Sequence, residues 1–185
     1  MITDLLRETE GRMLKTLQAL KGELRTVRTG RASPALLERV MVEYYGTPTP
    51  LNQLAVISAP EPQLLTVRPY DPTSLADIER GIRTSDVGLT PANDGKIIRL
   101  VIPSLTEERR RELVKVVNRR VEEAKVALRN IRRESLDDLR EFESEGMISE
   151  DEFYRAKDDL QDLIDRYSGE VENAGELKSK EVMEV

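Results

Sequence analysis

The chain has no cysteine, no histidine and no tryptophan, and only 4% of its 185 residues are aromatic. Without cysteine there is no disulfide, no thiolate nucleophile and no zinc–thiolate site, which agrees with a reducing cytosol. Without histidine the commonest general base and metal ligand is missing, so any catalysis would fall to carboxylates or lysines. No apolar run approaches the ~20 residues of a membrane span, and Met1-Ile2-Thr3-Asp4 lacks the basic-then-apolar start of a signal peptide. The expectation is a soluble, cytoplasmic, monomeric protein that is not an enzyme and takes no cofactor or metal.

What the chain does have is charge, and it is segregated. Net charge is −6 and 35% of residues are charged. From Thr106 to Glu134 there are ten Lys/Arg against six Asp/Glu; from Ser135 to Val185 there are six against seventeen. Val114, Val117, Val121, Ala124, Leu128 and Ile131 step by three and four through the basic stretch, so it reads as a helix with one buried stripe. At 100° per residue, Arg111, Lys115, Lys125, Arg129, Arg132 and Arg133 share an arc of roughly 100° beside that stripe. Two readings are open. The row is either a solvated face balanced by Glu108, Glu112 and Glu122, or a docking surface for a polyanion. Eight of the ten cations are arginine, whose planar fork matches phosphate bidentately, and that favours a nucleic-acid backbone.

Three long amphipathic helices flank a β-rich block. The first runs Ile2 to Arg28 with Leu6, Met13, Leu17, Leu20, Leu24 and Val27 on one face; the second runs Thr106 to about Glu145 and stops at Gly146. The third opens on a capping box, Ser149 with Glu152, and carries Phe153, Leu160, Ile164, Tyr167, Val171 and Ala174. Between them, Val40–Tyr45, Ala55–Ser58, Leu64–Val67 and Ile97–Ile102 read as strands punctuated by proline, with a helix over Thr73–Thr84 capped by Ser74 and Asp77. The architecture expected is α+β: an elongated three-helix bundle from 1–29 and 106–185, with a small α/β domain inserted at 30–105. The two crossings, Thr29, Gly30, Arg31, Ala32, Ser33 and then Pro103, Ser104, Leu105, form the expected hinge, which Gly30 would loosen and Pro103 stiffen.

Other constellations carry less. Asp158, Asp159, Asp162 and Asp165 lack the loop spacing of a calcium site and read as a solvated face that pairs with basic helix surfaces. Asp94-Gly95-Lys96 lacks the spacing of a phosphate-binding loop. Tyr44, Tyr45 and Tyr70 are expected in core or edge packing rather than stacked on bases. No nucleophile and base fall together.

Several strings, in order and across the whole chain, resemble the bacterial ribosome recycling factor family: Arg28-Thr-Gly-Arg-Ala-Ser-Pro-Ala-Leu-Leu37, Val42-Glu-Tyr-Tyr-Gly46, Ser85-Asp-Val-Gly-Leu89, Asn93-Asp-Gly95, Ile98-Arg-Leu100, Leu105-Thr-Glu-Glu-Arg-Arg110 and Arg129-Asn-Ile-Arg-Arg133. Ser104 and Glu134 depart slightly and preserve the chemistry. The resemblance implies a two-domain L about the size of a transfer RNA. It implies binding to the post-termination ribosome, chiefly to large-subunit ribosomal RNA, and splitting into subunits with elongation factor G, which hydrolyses the GTP and meets the small domain. It further implies RNA contacts at Arg28, Arg31, Arg129, Arg132 and Arg133, with Arg132 foremost, and less directly at Arg110. A reading of another class is a helical scaffold or chaperone that binds a protein along the acidic last helix; its binding would respond little to salt.

Overall fold

The computed structural model describes residues 1–184; Val185, the end of the expected bundle segment, lies outside the described residues. In chain order the elements are α1 (Ile2–Thr26), β1 (Met41–Tyr44), β2 (Thr47–Pro50), the single turn α2 (Leu51–Leu54), β3 (Ala55–Glu61), β4 (Leu64–Pro69), α3 (Leu75–Thr84), β5 (Pro91–Asn93), β6 (Ile98–Val101), α4 (Glu107–Ser144) and α5 (Glu150–Met183). They group into two units, Met1–Arg28 with Glu107–Glu184, and Thr29–Thr106.

The first unit is the bundle of α1, α4 and α5. Each helix buries the stripe that its period dictates: Met13, Leu17, Leu20 and Leu24 from α1, Val117, Leu128 and Leu139 from α4, Leu160, Ile164 and Val171 from α5. One polar pair interrupts this core. Thr9 Oγ1 donates to the Leu5 carbonyl at 2.8 Å, so the proton between Thr9 and Ser135, 2.7 Å apart, comes from the serine. A buried hydroxyl without a partner is costly, so the pair holds α1 and α4 in one register. Arg12 with Glu134 and Arg120 with Glu23 at 3.4 Å continue the same register, which makes α1 antiparallel to α4. At the end of α4 the Gly146 amide donates to Glu143 and the Met147 amide to Phe142, with Gly146 at φ +72°. Ser149 and Glu152 then form the reciprocal cap that starts α5.

A glycine sets how closely α4 and α5 approach. A Cβ on Gly175 would lie 2.4 Å from Val121 Cγ2, a β-branched neighbour with little rotamer freedom. Gly169, on the same helix, has nothing within 4 Å. Gly175→Ala is therefore expected to destabilise the bundle by about 1–2 kcal/mol despite alanine's better helix propensity, while Gly169→Ala stabilises it by about 0.5–1 kcal/mol. Urea unfolding of the two variants measures both signs.

The second unit has its own core, from Leu37, Val42, Leu51, Leu65, Val67, Ile78, Ile82, Ile98 and Leu100. Its four-stranded antiparallel sheet has the order β3-β4-β6-β5, and β1 and β2 form a separate ribbon. The ribbon departs from expectation, because Thr47-Pro-Thr-Pro50, outside the expected strands, is itself a strand. Pro48 and Pro50 pair with Glu43 and Met41, alternate residues, so both missing N–H groups can fall on the uncovered edge where proline is tolerated. β5, three residues long, also carried too little period to be read. The α3 cap differs too: Asp71 accepts from the Thr73 amide at 3.0 Å, while Ser74 Oγ donates to the Asp71 carbonyl. Asp94 organises the turn into β6, accepting from the Lys96 and Ile97 amides at 3.0 and 2.8 Å. Those two amides, Ile97 first, and then Arg99 hold its carboxyl at about 2.

Candidate nucleic-acid interface

The structure separates the arginine row into spent and available charge. Arg111 pairs with Glu107, Arg109 with Glu112 at 2.7 Å, Arg120 with Glu123 at 3.1 Å, Lys125 with Glu172 at 2.5 Å and Arg129 with Glu122 at 2.9 Å. Among the described residues, Arg110, Lys115, Arg119, Arg132 and Arg133 have no salt bridge. The solvated-face reading thus holds for half the row. Arg129, Arg132 and Arg133 lie three and four residues apart, on one helix face, so their forks can converge on one stretch of backbone phosphate. Arg133 and Arg129 are exposed, and Arg132 is half-buried.

The other expected contacts do not join this group. Arg28, exposed, ends the bundle's first segment. Glu23 meets Arg120 about 18 Å along the axis from Arg132 at 1.5 Å per residue, and Arg28 follows the end of α1 beyond that point, toward the end of the bundle that carries Lys115. The bundle therefore offers two basic levels, one at Arg28 and Lys115 and one at Arg129–Arg133. Arg110 is half-buried, and its Nε is buried without a hydrogen-bond partner, so it is less open to solvent than the rest. Arg31 is exposed and belongs to the small unit. Lys115 and Arg119 complete the free charge. Neither could be singled out from sequence, because each has a glutamate within helical reach that the fold assigns to another arginine: Glu112 to Arg109, and Glu122 and Glu123 to Arg129 and Arg120.

The remaining candidates fall as follows. Asp158, Asp159, Asp162 and Asp165 are all exposed. The expected pairing of these four with basic helices is absent among the described residues; Asp165 instead accepts from Gln161 at 2.8 Å. The carboxylates that do reach across helices are Glu10, Glu23, Glu134 and Glu172. No acidic cluster suited to a metal ion occurs among the described residues. Of the tyrosines, Tyr44 donates to Asp71 at 3.2 Å, but Tyr45 and Tyr70 are 81% and 67% exposed, contrary to expectation. Tyr45 sits at the ribbon tip with φ +48°, where its ring meets Tyr44 edge-on, 4.5 Å between centroids, and otherwise faces solvent. No helix among the described residues is long and apolar enough to cross a membrane.

Residues 20–183 match the model of the ribosome recycling factor family. The chain belongs to that family. The ribosome-recycling factor of Roseiflexus castenholzii is 56% identical to it over 185 residues, and that of Halalkalibacterium halodurans 52%, each covering all of both chains. The solution structure of a ribosome recycling factor superposes with a TM-score of 0.73 at 42% identity, covering all of this chain and 98% of the other. A second structure, at TM-score 0.62 and 44% identity with full coverage of both chains, comes from models of the T. thermophilus ribosome recycling factor and the E. coli elongation factor G bound to the E. coli post-termination complex. The ribosome recycling factor match takes in part of α1, the whole small unit and nearly all of α4 and α5, so the α+β architecture is that of the family from one end to the other.

Proposed function

We propose that this protein binds the post-termination ribosome in the cytoplasm through large-subunit ribosomal RNA and, with elongation factor G and its GTP hydrolysis, splits the ribosome into subunits. The observation that carries the RNA contact is the group Arg129, Arg132 and Arg133: among the described residues Arg132 and Arg133 have no salt bridge, while four neighbouring cations, Arg109, Arg111, Arg120 and Lys125, and Arg129 itself do. Arg28, at the second basic level, and Arg31, on the small unit, extend the contact, with Arg110 at its margin. Phosphate contacts from arginine give affinity and orientation without reading base sequence, which suits a structured RNA recognised by shape. The bundle of 1–29 and 106–185 acts as the anchor and the domain of 30–105 as the moving part, with bending at 29–33 and 103–105. The chain acts as a monomer and performs no bond chemistry; GTP hydrolysis belongs to its partner. The relative bound with elongation factor G to the post-termination complex supports the choice of these two partners.

Binding to isolated subunits over a range of salt concentrations tests the reading. The expected result is preference for the large subunit and an affinity that falls steeply as salt rises. Preference for the small subunit, or binding indifferent to salt, would favour a protein-binding scaffold instead.

A further inference from the structure

Both chain crossings are fastened to one turn of the small unit. The Ala32 amide donates to the Pro62 carbonyl at 2.6 Å, and the Ile102 amide donates to the Gln63 carbonyl at 2.8 Å. The Gln63 side chain reaches further out, its Nε2 donating to Ser104 Oγ at 2.6 Å. The crossings also press on each other: a Cβ on Gly30, which has φ +74°, would lie 3.0 Å from Leu105 Cγ. Gly30 thus serves close approach here and not looseness. Pro62 and Gln63 form the connection between β3 and β4, whose strands are held in a four-stranded sheet, so the turn itself is anchored.

We propose that Gln63 is a positioning residue for the swing between the units, clamping the crossings to the small unit and narrowing the bend from the whole of 29–33 and 103–105 to their outer ends. On the first crossing that end is Arg28–Thr29, after the Val27 cap of α1; on the second it is Leu105–Thr106, before α4 begins at Glu107. The use of the clamp rests on the splitting function proposed above, whereas the clamp itself is a property of the free protein. A bend confined to short segments turns a push on the small unit into rotation about a defined line. A bend spread over both whole crossings would absorb the push in local backbone motion.

The absence of native cysteine makes the test direct, since labels attach only where cysteines are introduced. Spin labels at Ala76 and Asn118, both exposed, report the distance between the units, and a pair at Ser58 and Ala76 reports on the small unit alone. Gln63→Ala is expected to raise the population outside the main inter-unit distance about fivefold, the effect of one hydrogen bond, with the second pair unchanged. Gln63→Glu, which can accept a hydrogen bond from the Ser104 hydroxyl, should behave as the parent. An unchanged inter-unit distribution in Gln63→Ala, or an equal change in the Ser58–Ala76 distance, overturns the clamp. A broadened distribution with undiminished subunit splitting supports the clamp and removes the lever from the proposed function.

Discussion

Replacing Arg132 with alanine is expected to weaken binding to the large ribosomal subunit by about 2 kcal/mol, roughly thirtyfold, the range of a hydrogen bond to a charged group. The slope of affinity against salt should fall by about one counterion. The fold makes the experiment clean. Among the described residues Arg132 has no salt bridge, so alanine leaves none of their carboxylates stranded and folding stability should stay within about 0.5 kcal/mol of the parent. Arg140 provides the control: it is exposed on the same helix but paired with Asp137 at 2.9 Å, and its removal should change subunit affinity little. Equal losses for the two variants would mean that general charge, not a specific contact, holds the protein to RNA. No loss at Arg132 would remove it from the interface.

Part of this site was readable before any coordinates. Arg132 has no carboxylate three or four residues away in either direction, so no such helix-surface pair could neutralise it; Arg129 has none either, but Glu122, two helical turns away, reaches it. The periods of α1, α4 and α5 and the Ser149–Glu152 cap were equally legible, because they depend on residues a few positions apart. Pairings between distant segments were not. Lys125 finds Glu172 on α5, 47 residues away, and the height of Arg28 relative to Arg132 follows from a register pinned by Thr9 and Ser135, 126 residues apart. A threonine in an apolar stripe gives no hint of its partner. β2 was hidden for another reason: two prolines in four residues signal a turn, and only an edge position with the right parity lets them sit in a strand. The role of Gln63 was invisible because a glutamine in a turn is ordinary until three donors and acceptors from two chain crossings are seen to meet there.

A crosslink between the two units that preserves ribosome binding is expected to reduce splitting to the level without the factor, and cleavage of the crosslink should restore it. The reasoning starts from the bundle. α4 has 38 residues and would span about 57 Å, it packs along α1 and α5, and it contains neither proline nor glycine at which to kink. A body of that kind transmits displacement and does not absorb it. If the arginines of α4 fix it to large-subunit RNA, work reaches the ribosome only when the small unit moves against that fixed frame, and the covalent path for such motion is the two crossings alone. Under the proposed function the motion is driven by the partner, whose GTP hydrolysis supplies the work. Locking the units leaves every RNA contact in place and removes only the motion. Full splitting by the locked protein would show that occupancy of the ribosome, and not the swing, separates the subunits.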